Sequence, residues 1–255
     1  MLYIAAPFGN YLFTRKTRSV LGTYTLKQRD GLLKQIVKSL RYKNGAWYNS
    51  LGLRNPGIDF GIRRYNQKRG DILSIAAIEE GDWELLNQRI PEHCHLELNL
   101  SCPNIEHFDN NYQGIECFLN NKRKVIAKLA PLTPSATVQE LINLGFNSFH
   151  CCNTLPTKDG GMSGKGLEKY VDRLIKIVKH FKEDAEIIAG GGIKDLEDIQ
   201  RYKDLGATSY SLGTVCFNIG NFYKIIHARK IYLSLIHISE PTRQAEISYA
   251  VFCLK

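Results

Sequence analysis

Apolar and polar positions along the chain fall into short alternating blocks. Eight blocks read as strands, at 2–6, 19–23, 72–78, 95–101, 125–129, 148–152, 185–189 and 208–213. The block at 95–101 alternates, with Leu96, Leu98 and Leu100 set against Glu97, Asn99 and Ser101, so it predicts a strand with two different faces. Pro103 ends it, because proline brings no N–H to a ladder. Helical spacing marks 82–88, 137–144, 167–182, 196–205 and 219–232. Within 167–182, Leu167, Val171, Leu174, Ile175, Val178 and Phe181 form a core-facing stripe. Strands alternating with helices over about 230 residues predict an α/β fold, a closed (β/α)8 TIM barrel rather than an open doubly wound sheet.

Two regions depart from that rhythm. Residues 27–68 are too long for a simple connection and are rich in Arg, Lys, Tyr, Gly and Asn, and their centre at 49–57 is turn chemistry. This stretch is expected to be a structural loop, with a functional loop as the other reading. Residues 233–243 and 247–254 read as the translation of a common sequencing adapter, with Gln-Ala-Glu where a sample index would fall. The domain expectation is therefore one barrel over 1–232, its last helix cut short, followed by a non-native tail at 233–255.

Composition narrows the class. The chain has 255 residues, 44% hydrophobic and 23% charged, ordinary for a globular protein and enough for one large core or two small ones. Its seven cysteines follow no regular spacing, and no Cys-x-x-Cys occurs, which argues for a reducing compartment and against a structural metal. No apolar run spans a membrane, and the start reads as a strand rather than a signal, so a cytoplasmic location is expected. The net charge of +9 is scattered apart from small clusters at 15–18 and 121–124, which disfavours a nucleic-acid partner and suits an anionic small molecule or a phosphorylated cofactor.

The chemistry is expected where barrel strands end. Those positions hold Ala5 and Ala6, Gly22 and Thr23, Asn99 with Cys102, Lys128, Asn153 and Thr154, Gly190 to Gly192, and Gly213 with Thr214. Cys102 is a base or nucleophile between two carboxamides, Asn99 and Asn104, that suit a planar ring bearing carbonyls and N–H groups. Lys128 faces a barrel interior and there needs an anionic partner. The glycine runs at 160–164 and 190–192, read together as lying at strands seven and eight, suggest a phosphate cradle.

These motifs together resemble the dihydroorotate dehydrogenases. The resemblance rests on Asn-Leu-Ser-Cys-Pro-Asn at 99–104, Asn-Ser-Leu-Gly-Leu at 49–53, Lys128, Asn153-Thr154, Gly160-Gly-x-Ser-Gly164, Ile187-Ile188 with Gly191-Gly192-Ile193, and Leu-Gly-Thr at 212–214. It covers residues 1 to about 232. It implies an FMN barrel that oxidises dihydroorotate to orotate. On that resemblance Cys102 is the base for the C5 proton while C6 gives hydride to flavin N5, and Lys128 supports the flavin's N1–O2 edge. Ala5, Ala6, Asn99, Ser163, Gly164, Gly191, Gly192, Gly213 and Thr214 would hold the cofactor. Asn49, Ser50, Leu51, Gly52 and Leu53 would form the substrate loop, and Asn99, Asn104, Asn153 and Thr154 would bond the pyrimidine. Cysteine as the base matches the soluble branch. The family commonly forms dimers, so a homodimer is one expected partner. The final electron acceptor stays open between fumarate, a nicotinamide cofactor reached through a separate electron-transfer subunit, and another acceptor, and no metal site is expected.

Two lysines of the family pattern are missing: Leu21-Gly22-Thr23 stands at one expected place and Asn10 at the other. Arg54 is the replacement cation this reading suggests. Rival readings are an FMN barrel acting on another pyrimidine, such as a tRNA dihydrouridine synthase, and a barrel that binds flavin or pyrimidine without turnover. The Ser101 beside Cys102 and the lack of an added helical domain argue against the first.

Overall fold

The structure is a computed structural model that describes residues 1–100, 112–120 and 122–228. Its strands are, in order, β1 (Leu2–Ile4), β2 (Arg18–Tyr24), β3 (Arg41–Lys43), β4 (Ala46–Asn49), β5 (Ile72–Ile75) and β6 (His95–Asn99). Then follow β7 (Val125–Leu129), β8 (Ser148–Cys151), β9 (Leu155–Thr157), β10 (Gly160–Gly164), β11 (Glu186–Gly190) and β12 (Ser209–Leu212). The helices are α1 (Leu32–Ser39), α2 (Ile58–Arg64), α3 (Asp82–Arg89), α4 (Ser135–Leu144), α5 (Glu168–Phe181), α6 (Leu196–Asp204) and α7 (Ile219–His227).

Eight strands close a parallel barrel in the order β1-β12-β11-β8-β7-β6-β5-β2, as the alternation predicts. Strands wrapped by helices on one side and by their own barrel on the other are buried on both faces, so β5, β7, β8 and β12 are buried throughout. The α5 stripe lies against β8 and β11, with Val171, Leu174, Ile175 and Val178 fully buried. Helix starts follow local chemistry: the Asp195 carboxylate accepts the N–H groups of Glu197 and Asp198 at the head of α6. The 72–78 block is shorter than expected, because the Asp82 carboxylate accepts the N–H groups of Ile78 and Glu79 and draws the chain away to α3.

The 27–68 region is not a loop. It holds α1, the hairpin β3–β4 and α2. Asn44 and Gly45 both take positive φ, 55° and 85°, the backbone that a two-residue hairpin turn requires. The 160–164 run is corrected too. It is the strand β10, between the sixth and seventh barrel strands, and it pairs antiparallel with β4 and β9 in a four-stranded sheet of order β3-β4-β10-β9. Gly190 ends the seventh barrel strand and Gly191 and Gly192 follow it, and Gly213 with Thr214 follows the eighth. Cys102, Asn104, the strand end at Ser101, the last helix beyond 228 and the tail at 233–255 lie outside the described residues. Among the described residues no helix is long and apolar enough to cross a membrane.

Candidate active site

The C-terminal ends of the barrel strands open into one cavity of about 760 Å³. Ala5 and Ala6 line it from β1, Asn99 from β6, Lys128 from β7, and Asn153 and Thr154 from the end of β8. Ser163 and Gly164 of β10, Gly191 and Gly192 after β11, and Gly213 and Thr214 after β12 close one end. Asn49, Leu51 and Leu53 reach it from the excursion after β2. The expected Ser50 and Gly52 do not line it. Gln35 Nε2 donates to the Ser50 carbonyl at 2.6 Å and Ser50 N–H donates to Ser39 Oγ at 3.0 Å, which ties Ser50 to α1. The Gly52 carbonyl accepts Arg29 Nε at 3.3 Å.

The asparagines are linked. Asn153 Nδ2 donates to Asn99 Oδ1 at 2.9 Å, and Asn99 Nδ2 donates to Thr23 Oγ1 at 3.3 Å. Thr23 and Ser74 share a hydroxyl bond of 2.9 Å, and Ser74 Oγ donates to Glu97 Oε1 at 2.9 Å. This chain fixes the carboxamides before any ligand arrives, because rotating either one breaks a hydrogen bond within it.

Lys128 has the anionic partner that its position calls for. Its Nζ lies 3.5 Å from Glu97 Oε1, and both side chains are buried. Burial alone would raise the Glu97 carboxyl, but Lys128, His150 and Ser74 outweigh it and hold the group down at about 2. Glu97 and His150 escaped the sequence reading as site residues, although Glu97 stood on the alternating strand and His150 is the direct neighbour of Lys128 across the sheet. Cys152 also lines the cavity, yet burial pushes its thiol up to about 12 against the pull of Lys128, so it stays protonated and is no base at neutral pH.

The two places where the family lysines are missing satisfy each other. Asn10 Oδ1 accepts the Gly22 N–H at 3.0 Å and the Tyr24 hydroxyl at 3.1 Å, while Asn10 Nδ2 donates to the Gly22 carbonyl at 3.2 Å. A Cβ at Gly22 would fall 2.6 Å from the Ser74 carbonyl oxygen, so no side chain fits there unless its neighbours move. Arg54 and Arg64 both line the cavity. Arg54 Nη1 donates to the Asp30 carbonyl at 3.0 Å, and Arg64 Nη2 donates to the Asn10 carbonyl at 2.7 Å.

The mouth is apolar. Leu32 and Ile36 of α1 and Leu51 line it, and Trp47 of β4 stacks on Phe217 with ring centroids 4.2 Å apart. Phe8 meets the same Phe217 edge-on at 4.9 Å. These contacts pin the hairpin over the glycine end. The sequence signal for this wall was the Asn44-Gly45 turn between two aromatic-bearing segments.

Comparison with known proteins agrees with this geometry. The dihydroorotate dehydrogenase family model matches residues 15–231. The chain is 26% identical over 205 residues to the dihydroorotate dehydrogenase B (NAD(+)) catalytic subunit of Lachnoclostridium phytofermentans, covering 68% of each chain. It is 24% identical over 227 residues to the protein of the same name from Staphylococcus carnosus, covering 73% of this chain and 74% of the other. A crystal structure of Eimeria tenella DHODH in complex with ferulenol shares the fold with a TM-score of 0.66 at 17% identity, over 85% of this chain and 76% of that one. With residues 15–231 inside the family match, the chain belongs to the dihydroorotate dehydrogenase family.

Proposed function

We propose that this chain catalyses the FMN-dependent oxidation of dihydroorotate to orotate in pyrimidine biosynthesis. The observation that carries the reading is the convergence of Lys128, Asn99, Asn153 and Thr154 with the glycine turns at 191–192 and 213–214 on one cavity at the barrel mouth. The residues fit the cofactor. Gly191 and Gly192 both line the cavity with φ of +121° and +76°, and a Cβ would lie 2.7 Å from Glu168 at Gly192 and press on Leu167 at 3.1 Å at Gly191, so the turn is kept to glycine, as a close-fitting phosphate cradle needs. The Ser211 hydroxyl at the cavity wall is buried and has no partner among the described residues.

Bound FMN would supply a two-electron acceptor that takes hydride from substrate C6 at flavin N5. Everything else falls to the chain. Asn99, Asn153 and Thr154, with Asn104, hydrogen-bond the pyrimidine edge and hold its ring flat against the flavin. Lys128 would supply the positive charge that stabilises the negative charge gained by the flavin's N1–O2 edge on reduction. Cys102 accepts the C5 proton, a role that needs its thiolate in a closed site. Ser163, Gly164, Gly191, Gly192, Gly213 and Thr214 hold the phosphate end, and Ala5 and Ala6 leave room for the ring. The segment at 49–53 folds over the substrate, and Arg54, next in sequence, supplies charge to the substrate carboxylate in place of the missing lysines. A separate electron-transfer subunit would reoxidise the flavin, a partner consistent with relatives named as catalytic subunits.

Anaerobic addition of dihydroorotate to the FMN-loaded protein should bleach the flavin absorbance, and Cys102→Ser should abolish the bleaching at neutral pH. Failure to bind FMN would overturn the cofactor. Bound FMN without bleaching would leave an FMN barrel acting on another pyrimidine.

A further inference from the structure

Lys128 belongs to a buried ionisable cluster at the cavity whose other members, Glu97 and His150, the resemblance did not call for. Glu97, Lys128 and His150 come from three successive barrel strands, β6, β7 and β8, and are 1%, 6% and 3% exposed. Lys128 and His150 sit at the same level of neighbouring strands. Ionisable groups in such a place are costly unless paired, so their pairing pattern is informative.

The two carboxylate oxygens of Glu97 are used differently. Oε1 accepts Ser74 Oγ at 2.9 Å and faces Lys128 Nζ at 3.5 Å, which is longer than a charge-assisted hydrogen bond. Oε2 lies 2.7 Å from His150 Nδ1. The imidazole cannot retreat: a Cβ on Gly190 would lie 2.3 Å from His150 Nε2, so the ring is seated against bare backbone of β11. His150 therefore fixes the carboxylate from the side away from the ammonium.

We propose that His150 is a positioning residue: by holding Oε2 of Glu97 it keeps the carboxylate from closing on Lys128, so that the ammonium stays directed into the cavity. In this arrangement His150 is neutral, protonated on Nδ1 to donate to Glu97, with its Nε2 bare beside Gly190. Burial, the largest influence on the ring, lowers its pKa against the pull of Glu97, and the charged groups facing it are Glu97 and Lys128. Where His150 carries no donor, Oε2 turns to Lys128 and the ammonium is withdrawn from whatever anion the cavity holds.

The inference rests on the FMN reading for its consequence but not for its geometry, so two measurements separate them. The first is the ¹⁵N shift pattern of His150 in the FMN-free protein between pH 6 and 8. A ring that carries its proton on Nδ1 throughout is the expected result, and a ring protonated on Nε2 alone would overturn the proposal even if no variant folds. The second is the ratio of dissociation constants for reduced and oxidised FMN. Loss of a hydrogen bond to a charged group should raise that ratio about tenfold in His150→Met. His150→Asn, whose amide nitrogen can stand near the Nδ1 position, should restore it towards wild type. Equal ratios in wild type and His150→Met, or equal shifts in both variants, would reduce His150 to a space-filling role. Absence of FMN binding in the wild type would sink the functional reading, while the ring's protonation would still decide the geometry.

Discussion

Gly22 is the residue at which this chain's departure from the family pattern can be weighed. Its φ is +109°, and an added Cβ would lie 2.6 Å from the Ser74 carbonyl oxygen and 2.8 Å from the Tyr24 nitrogen. An L side chain forced into the left-handed half of φ costs about 1–2 kcal/mol. Driving a methyl group into filled space costs about 1–3 kcal/mol more. Gly22→Ala should therefore lose about 3–4 kcal/mol of folding stability. Gly31 provides the control, because its φ is +90° but nothing lies within 4 Å of the added Cβ. Gly31→Ala should lose only the strain, about 1–2 kcal/mol. Urea unfolding of the FMN-free proteins, followed by far-ultraviolet circular dichroism, would separate the two variants by about 1 M in midpoint if the slope is near 2 kcal/mol/M. Equal losses at both sites would mean that the close approach of Ser74 and Tyr24 does not matter, and that a lysine could be restored at position 22 by simple substitution.

Three other outcomes follow from the same geometry. The folded-state Glu97 carboxyl sits at about 2, below its ordinary 4.5, so its ionised form contributes stability that is complete above about pH 4.5 and drains away as pH falls towards 2. His150, lowered from 6.5, works in the same direction from a higher pH, so unfolding free energy should fall steadily as pH drops from 6.5 to 3, and a flat profile would contradict both. Arg54→Ala should weaken orotate binding to the oxidised FMN form by at least about tenfold if its guanidinium serves the carboxylate that substrate and product share, a loss of about 1.4 kcal/mol that titration of flavin absorbance would read; unchanged affinity would remove it from that role. Trp47→Ala should raise the FMN dissociation constant several-fold while costing about 1 kcal/mol of stability, since the stack on Phe217 at 4.2 Å is lost, and unaltered FMN release would free the hairpin from any part in cofactor retention.

The barrel was legible because a strand buried on both faces must be apolar almost throughout, as β5 and β7 are, and because the α5 stripe repeats at helical spacing. What the sequence hid was set by partners far away in the chain. The run Gly160-Gly-Met-Ser-Gly164 reads as a turn on its own and becomes a strand only because β4 lies alongside it. Helix α1 buries none of its residues in the core, so its apolar positions looked like part of a loop although Leu32 and Ile36 form a cavity wall. The site showed the same division. Lys128 and the asparagines announced themselves by residue type at strand ends, and a lysine facing a barrel interior requires the anion that Glu97 provides. His150 did not, because one histidine within an otherwise ordinary buried strand signals nothing until closure of the barrel puts Glu97 beside it.

The pairing of β4 with β10 constrains how this chain can change in length. Trp47 stands opposite Ser163 and Ala46 opposite Gly164, while the strand's last residue, Asn49, begins the segment 49–53 that is proposed to cover the substrate. Side chains alternate faces along a strand, so one residue inserted or deleted within β4 would exchange the faces of Trp47 and Tyr48 and slide the substrate segment relative to the glycine end in the same step. Drift in length is therefore expected to collect before Arg41, where α1 meets its solvent side through Leu33 and Val37, 79% and 80% exposed, and to avoid the four residues of β4.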